Sequence, residues 1–248
     1  MGDRKYELTN ETKTTLGNTL YRIRALKSFN DIQAGDLGGY VESEDNLSQE
    51  GTCWVYHNAI VYEGAKVWGN AKVYDDVIIK GSASVFDVAE IKDYALISGL
   101  AKVYGNALLR GNCRVIDGAR VYGSALLKDN VWVTGGGSVY GHVVLLGCTV
   151  IGGTAKVYEN AHISGYVRVS DNAKVYGDST ISEQAKIMGN AEVYENAVID
   201  NHCIITDNAK IHGDVYILDA LNIFGNADIS SEEDLNRKQY SIIKLEVE

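Results

Sequence analysis

The sequence contains no proline in 248 residues, where ordinary usage would place about twelve. That absence excludes proline-rich linkers, polyproline recognition segments and cis-proline turns. Cysteine is scarce at 4, too few and too scattered for a disulfide framework. No run of about twenty uninterrupted apolar residues occurs, and residues 1–13 are polar and charged, so neither a membrane span nor a signal peptide is expected. A cytoplasmic protein is the expectation. Basic residues are outnumbered 23 to 33, for a net charge of −10, and this disfavours nucleic acid as a partner. What is abundant is small and aliphatic: 46% of residues are apolar, enough to bury a large core.

Those apolar residues are strictly periodic. Stepping by six from Val55 through Val61, Val67 and Val73 to Ile223 and Ile229, all thirty positions are Val, Ile or Leu, with no insertion. Two residues before each lies a position held mostly by Ala, as at Ala59, Ala101 and Ala209, and otherwise by Cys, Val, Ser, Thr, Gly or, once, Leu221. Gly, Asp or Asn follows two and three residues after the aliphatic, as in Gly105-Asn106 and Asp171-Asn172; these residues tolerate left-handed backbone at corners. Each hexad therefore reads as one short strand, with alternate side chains inward, and one corner. A helical period of 3.6 cannot produce it.

A longer period gives the number of hexads per turn. Trp68, Phe86, Tyr104, Tyr122, Tyr140, Tyr158, Tyr176, Tyr194 and His212 are spaced by eighteen, as are the three leucines among the thirty core positions, Leu109, Leu127 and Leu145. Three hexads per turn predicts an all-β, triangular, single-stranded parallel β-helix of about ten coils. Over residues 55–229 the pattern resembles the hexapeptide-repeat superfamily. Leu37-Gly38-Gly39-Tyr40-Val41-Glu42 and Asn46-Leu47-Ser48-Gln49-Glu50-Gly51 are similar to the opening segment of bacterial and phage-borne proteins labelled acyl- or acetyltransferases. Left-handed coiling is what that resemblance implies, since ordinary parallel crossovers are right-handed.

The expected organisation is a hairpin cap over residues 1–36, the β-helix over 37–229, and a short helix plus strand over 230–248. In the cap, strands meet around Gly17-Asn18, with Tyr21, Ile23 and Ala25 on one face. Ser230-Ser231-Glu232-Glu233 has a capping-box form, and strand-like residues 240–247 either cap their own coils or pair with another chain.

Several residues are candidate sites. Phe86, Tyr104, Tyr122, Tyr140, Tyr158, Tyr176 and Tyr194 form either a stabilising ladder or a binding edge for a flat or extended partner. Lys66, Lys102, Arg120, Lys156, Lys174 and Lys210 are placed to lie over the rings. Outward Leu108, Leu126 and Val144, with Trp132 on a neighbouring face, suggest an oligomer interface in a dimer or trimer. Among five histidines, His142 stands at a corner near Glu159. The superfamily's acyltransferases use a histidine general base and a protruding loop, so the resemblance nominates His142 as the catalytic base. No metal set is expected: His142 and His162 fall about 8 Å apart by strand rise and spacing. Cys53, Cys113 and Cys203 take small inward positions, and Cys148 a corner.

Because thirty hexads run without a protruding loop, the leading expectation is a rigid, non-catalytic scaffold. It would bind a protein partner, in phage fashion an inhibitor of a host or defence protein, and needs no cofactor. The alternative is a CoA-dependent acyltransferase working at clefts between subunits of a trimer, with acetyl-CoA as donor.

Overall fold

The computed structural model describes residues 4–218, 220–236 and 242–244. The chain forms two compact units, Met1–Gly123 and Ser124–Glu248, and in each the hexads become two-residue strands arranged in three parallel sheets. In the first unit, Ile60–Val61, Ile78–Ile79 and Leu96–Ile97 succeed one another in one sheet, and Lys66–Val67, Ser84–Val85 and Lys102–Val103 in another. In the second, Lys156–Val157, Lys174–Val175 and Glu192–Val193 do the same. Paired residues are eighteen apart throughout, as in Lys102↔Arg120 and Lys156↔Lys174, so each unit is a parallel β-solenoid with three hexads to the turn.

Two forces fix this arrangement. The residue before each aliphatic and the residue after it donate their N–H groups to the next coil: Lys156 N to Ala173 O at 3.0 Å and Tyr158 N to Val175 O at 3.0 Å. Inside, the aliphatics and the small residues two positions earlier are fully buried, Val157 and Ala155 among them. One hexad slips. Leu221, expected at a small inward position, is half-buried, and Ala220 is buried in its place, because a leucine is too large for a slot built for alanine.

At the corners, the second residue after the aliphatic adopts positive φ, and here the structure adds to the expected Gly, Asp and Asn. Glu159 (φ 61), Glu195 (φ 58) and His57 (φ 52) also take it. A carboxylate at this position accepts the N–H of the glycine one coil on: Glu159 from Gly177 at 2.9 Å, Asp171 from Gly189 at 3.0 Å, Glu195 from Gly213 at 2.8 Å. The bond offsets the cost of left-handed backbone in a residue with a side chain. One position later, Asn172, Asn190, Asn208 and Asn226 form an amide ladder with steps of 3.0–3.1 Å.

In each unit the segment outside the repeat packs on the coils beside it. β1 (Tyr6–Thr15) and β2 (Asn18–Ala25) form the expected hairpin, and β3 (Leu37–Val41) joins the sheet through Tyr40↔Ile60. The buried side chains of β2 are Leu20, Ile23 and Ala25, whereas Tyr21 is only half-buried. A register shift between Arg22 and Arg24 changes which residues face inward. Lys5, 1% exposed, reaches the carbonyls of Cys53 at 3.0 Å and Glu50 at 3.3 Å. Gln49 accepts the N–H of Lys5 at 2.9 Å, and buried Asn46 donates to Glu63 O and Ala65 O, both at 2.9 Å. These groups satisfy backbone atoms that have no preceding coil to pair with.

At the other end, a short helix, α1 (Glu232–Asn236), is capped by Asp234, whose carboxylate accepts Ser231 N at 3.1 Å. Strand Ile242–Lys244 pairs antiparallel with Leu221–Ile223 of the same chain, so the tail covers its own sheet. Residues 240, 241 and 245–247 of the expected strand lie outside the described residues.

The corner geometry predicts a contrast between two glycines. A Cβ on Gly177 (φ +72) would stand 2.6 Å from Glu195 N, whereas one on Gly152 would meet only Thr134 Cγ2 at 3.6 Å. Gly177→Ala should lose more than about 1 kcal/mol of stability, and Gly152→Ala should be neutral or gain up to about 1 kcal/mol, in denaturant unfolding.

Candidate functional site

The strand spacing sets the spacing of everything stacked upon it. Parallel strands lie about 4.8 Å apart, and a ring at the same corner of successive coils must therefore stack. In the first unit Trp68, Phe86, Tyr104 and Tyr122 follow one another at centroid distances of 4.5, 4.7 and 4.8 Å, within 3° of parallel. In the second, Tyr140, Tyr158, Tyr176, Tyr194 and His212 are separated by 5.1, 4.7, 4.9 and 4.8 Å, within 5°. Ring faces meet ring faces, so the outward aspect of the row consists of ring edges and phenol hydroxyls. Of the basic residues expected over the rings, Lys174 pairs with Glu192 at 2.8 Å, and Tyr176 donates to the same carboxylate at 3.1 Å. The lysine pair holds Glu192 below the usual carboxylate range.

A second ring stack, not singled out from the sequence, shares the eighteen-residue spacing. Tyr56 and Tyr74 lie 4.2 Å apart at 16°, and Lys92 Nζ sits 4.8 Å from the Tyr74 centroid. Tyr56 donates its hydroxyl to Asp31 at 3.1 Å, and Lys72 approaches that carboxylate at 3.4 Å. Burial first, then the charges of Tyr74 and Asp31, push the Tyr56 phenol well up. Burial also works against the charge on Asp31, but its own backbone N–H, Tyr56 and Lys72 outweigh this and lower it.

Beside this stack stands His57. Its Nδ1 is 2.9 Å from Asp75 Oδ1, one coil on, and its side chain is 60% exposed. Nδ1 also lies 3.3 Å from the Asp75 N–H; in the tautomer that donates Nδ1–H to the carboxylate, Nε2 is left as an acceptor. Positive φ at the corner throws the imidazole outward. The other histidines lack this combination. His142 is exposed, its backbone N–H donates to Glu159 O at 2.6 Å, and among the described residues its imidazole has no hydrogen-bond partner. Glu159 is engaged with Gly177. His212 has carboxylates near both nitrogens, Asp228 at 2.8 Å and Glu195 at 3.6 Å. His202 Nδ1 lies against Asn201 at 2.8 Å.

The four apolar interface candidates are outward-facing. Leu126 and Val144 are half-buried neighbours on one sheet of the second unit, Trp132 pairs with Val150 and is 39% exposed, and Leu108 neighbours Glu90 in the first unit. The four cysteines are free, with Cys53, Cys113 and Cys203 buried. No described helix is long and apolar enough to cross a membrane.

No protein-family model matches the chain. Over 78 residues it is 42% identical to a protein of Escherichia coli (strain K12) named uncharacterized acetyltransferase YdcK; the match covers 28% of this chain and 24% of that one. Solenoid and relative together fit the hexapeptide-repeat, acyltransferase-like proteins.

The ladder makes a measurable pH prediction. Burial, followed by the negative charges of Tyr140, Glu159 and Glu192, pushes the Tyr158 phenol up to about 12 from its ordinary 10.0. The folded chain thus favours the neutral phenol, so its contribution to stability is complete below about pH 10 and is lost as pH rises through about 12. Tyr158→Phe should keep the stack and flatten that alkaline loss, read as urea midpoint against pH.

Proposed function

We propose that the chain is a hexapeptide-type acyltransferase that uses an acyl-CoA thioester as donor and an amine or hydroxyl as acceptor. The 42% identity to a protein named acetyltransferase, on a parallel β-solenoid, carries this proposal, and it favours the transferase over a non-catalytic scaffold. His57 is the better base than His142. A general base needs an open acceptor nitrogen and a partner to fix its tautomer. His57 has both in the tautomer that donates Nδ1–H to Asp75.

In this scheme Nε2 of His57 takes the proton of the acceptor as its oxygen or nitrogen attacks the thioester carbonyl. The tetrahedral adduct then collapses, the C–S bond breaks, and the proton passes to the departing thiolate. Asp75 holds the imidazole and stabilises the imidazolium formed on the way. For the donor, Lys72 and Lys92 stand at the Tyr56–Tyr74 stack, where a coenzyme's phosphates would replace the carboxylates of Asp31 and Glu90 that these ammonium groups pair with. Desolvation works against the charge of Lys72, and Tyr74 and Asp31 more than compensate, so it stays protonated.

The test is CoA release from acetyl-CoA with a panel of amine and hydroxyl acceptors, together with calorimetric titration of acetyl-CoA. The parent should bind and turn over, His57→Ala should lose about 10²–10⁴-fold in rate, and His142→Ala should match the parent. Loss with His142→Ala alone would move the base to that corner, and no binding at millimolar acetyl-CoA would overturn the transferase proposal.

A further inference from the structure

The most unusual side chain in the first unit is Lys5. It is 1% exposed, and its Nζ lies 3.2 Å from Sγ of Cys53, itself fully buried. Lysine is almost never fully buried. Capping carbonyls explains its depth, but any donor could cap them; only an amine beside a thiol sets two nucleophiles in contact. Of the other buried cysteines, Cys113 turns its Sγ to Arg110 O at 3.1 Å.

We propose that Lys5 and Cys53 form a peroxide-driven covalent staple, a sulfenamide joining Nζ to Sγ, that locks the N-terminal hairpin onto the first coil. The oxidant is hydrogen peroxide or a like small peroxide. Sγ attacks a peroxide oxygen, the O–O bond breaks, and Cys53 becomes a sulfenic acid with release of one water. The Nζ lone pair then attacks Sγ, the S–O bond breaks, and the hydroxyl leaves with an amine proton as a second water. In sum, one amine, one thiol and one hydrogen peroxide give one N–S bond and two waters, with sulfur oxidised by two electrons and peroxide reduced by two.

The surroundings favour the second step over further oxidation. Burial lowers the affinity of Lys5 for its proton, with Cys53 opposing and Lys27 adding to the effect, so a free lone pair is more readily available than on a surface lysine. Burial raises the Cys53 thiol, with the charge and hydrogen bond of Lys5 opposing, so the first oxidation is slow, and the amine already in contact with Sγ meets the sulfenic acid as it forms. A neutral amine can still donate two N–H groups to the carbonyls of Cys53 and Glu50 while presenting its lone pair to sulfur. Cys53 stands at a position otherwise held mostly by alanine, so the thiol is not required for packing.

The experiment treats the whole chain with hydrogen peroxide and maps tryptic peptides by mass. Half-buried Cys148 serves as an internal marker that oxidant was sufficient. The expected product joins the peptides carrying Lys5 and Cys53, at the sum of their masses less two hydrogens. Tryptic cleavage after Lys5 should be lost and dithiothreitol should restore it. Cys53→Ala, which keeps the commonest side chain of the repeat, should stay folded and never show the link. Unmodified Cys53 when Cys148 is oxidised, or Cys53 recovered as sulfinic or sulfonic acid with Lys5 still cleavable, would overturn the proposal.

Discussion

The hydrogen bond from one coil to the next governs this molecule. Each strand of the repeat is only two to four residues long, so none is stable alone; each depends on donating to the coil that follows. A residue without an N–H at those positions would leave an orphaned carbonyl inside a continuous ladder, which gives the absence of proline a physical cause. The same bond fixes strand spacing, and strand spacing in turn brings Tyr158 to 4.7 Å from Tyr176 and Asn190 to within hydrogen-bond reach of Asn208. Ring and amide ladders follow from the backbone register rather than create it.

Where the ladder ends, different chemistry takes over. A solenoid presents open edges that invite end-to-end association, and here they are closed by side chains from outside the repeat. In the first unit Lys5, Asn46 and Gln49 supply the bonds that a preceding coil would have made, and in the second Ile242–Lys244 lies along Leu221–Ile223. The carboxylates at positive-φ corners solve a smaller version of the same problem. They meet glycine N–H groups that would otherwise face solvent between coils.

Most of the fold was legible because its cause is local and repeated. Thirty aliphatics at intervals of six, and rings at intervals of eighteen, encode strand, corner and turn number at once. The ends were less so: contacts of Lys5 with Cys53 and of Asn46 with Ala65 join residues with no periodic relation, and a register shift moved Tyr21 off the inner face of its hairpin. For the candidate site, the sequence pointed to His142 by the company it keeps at its corner. It passed over His57 although Asp75 stands eighteen residues on, the very spacing that marks stacked neighbours. What periodicity could not supply was how each carboxylate divides its oxygens: Glu159 is turned to Gly177, whereas Asp75 accepts the Asp93 N–H through Oδ2 and meets His57 through Oδ1.

Acyl transfer on such a framework would exploit rigidity, since a base held between two coils loses little on reaching its working geometry. That rigidity rests on the coil-to-coil bonds, and amide hydrogen exchange tests them most directly. The amides of Lys156, Tyr158, Lys174 and Tyr176, each bonded to a carbonyl one coil on, should exchange only through global unfolding. Exchange of these amides at the rate of an unfolded chain, under conditions where the protein is folded, would contradict the account.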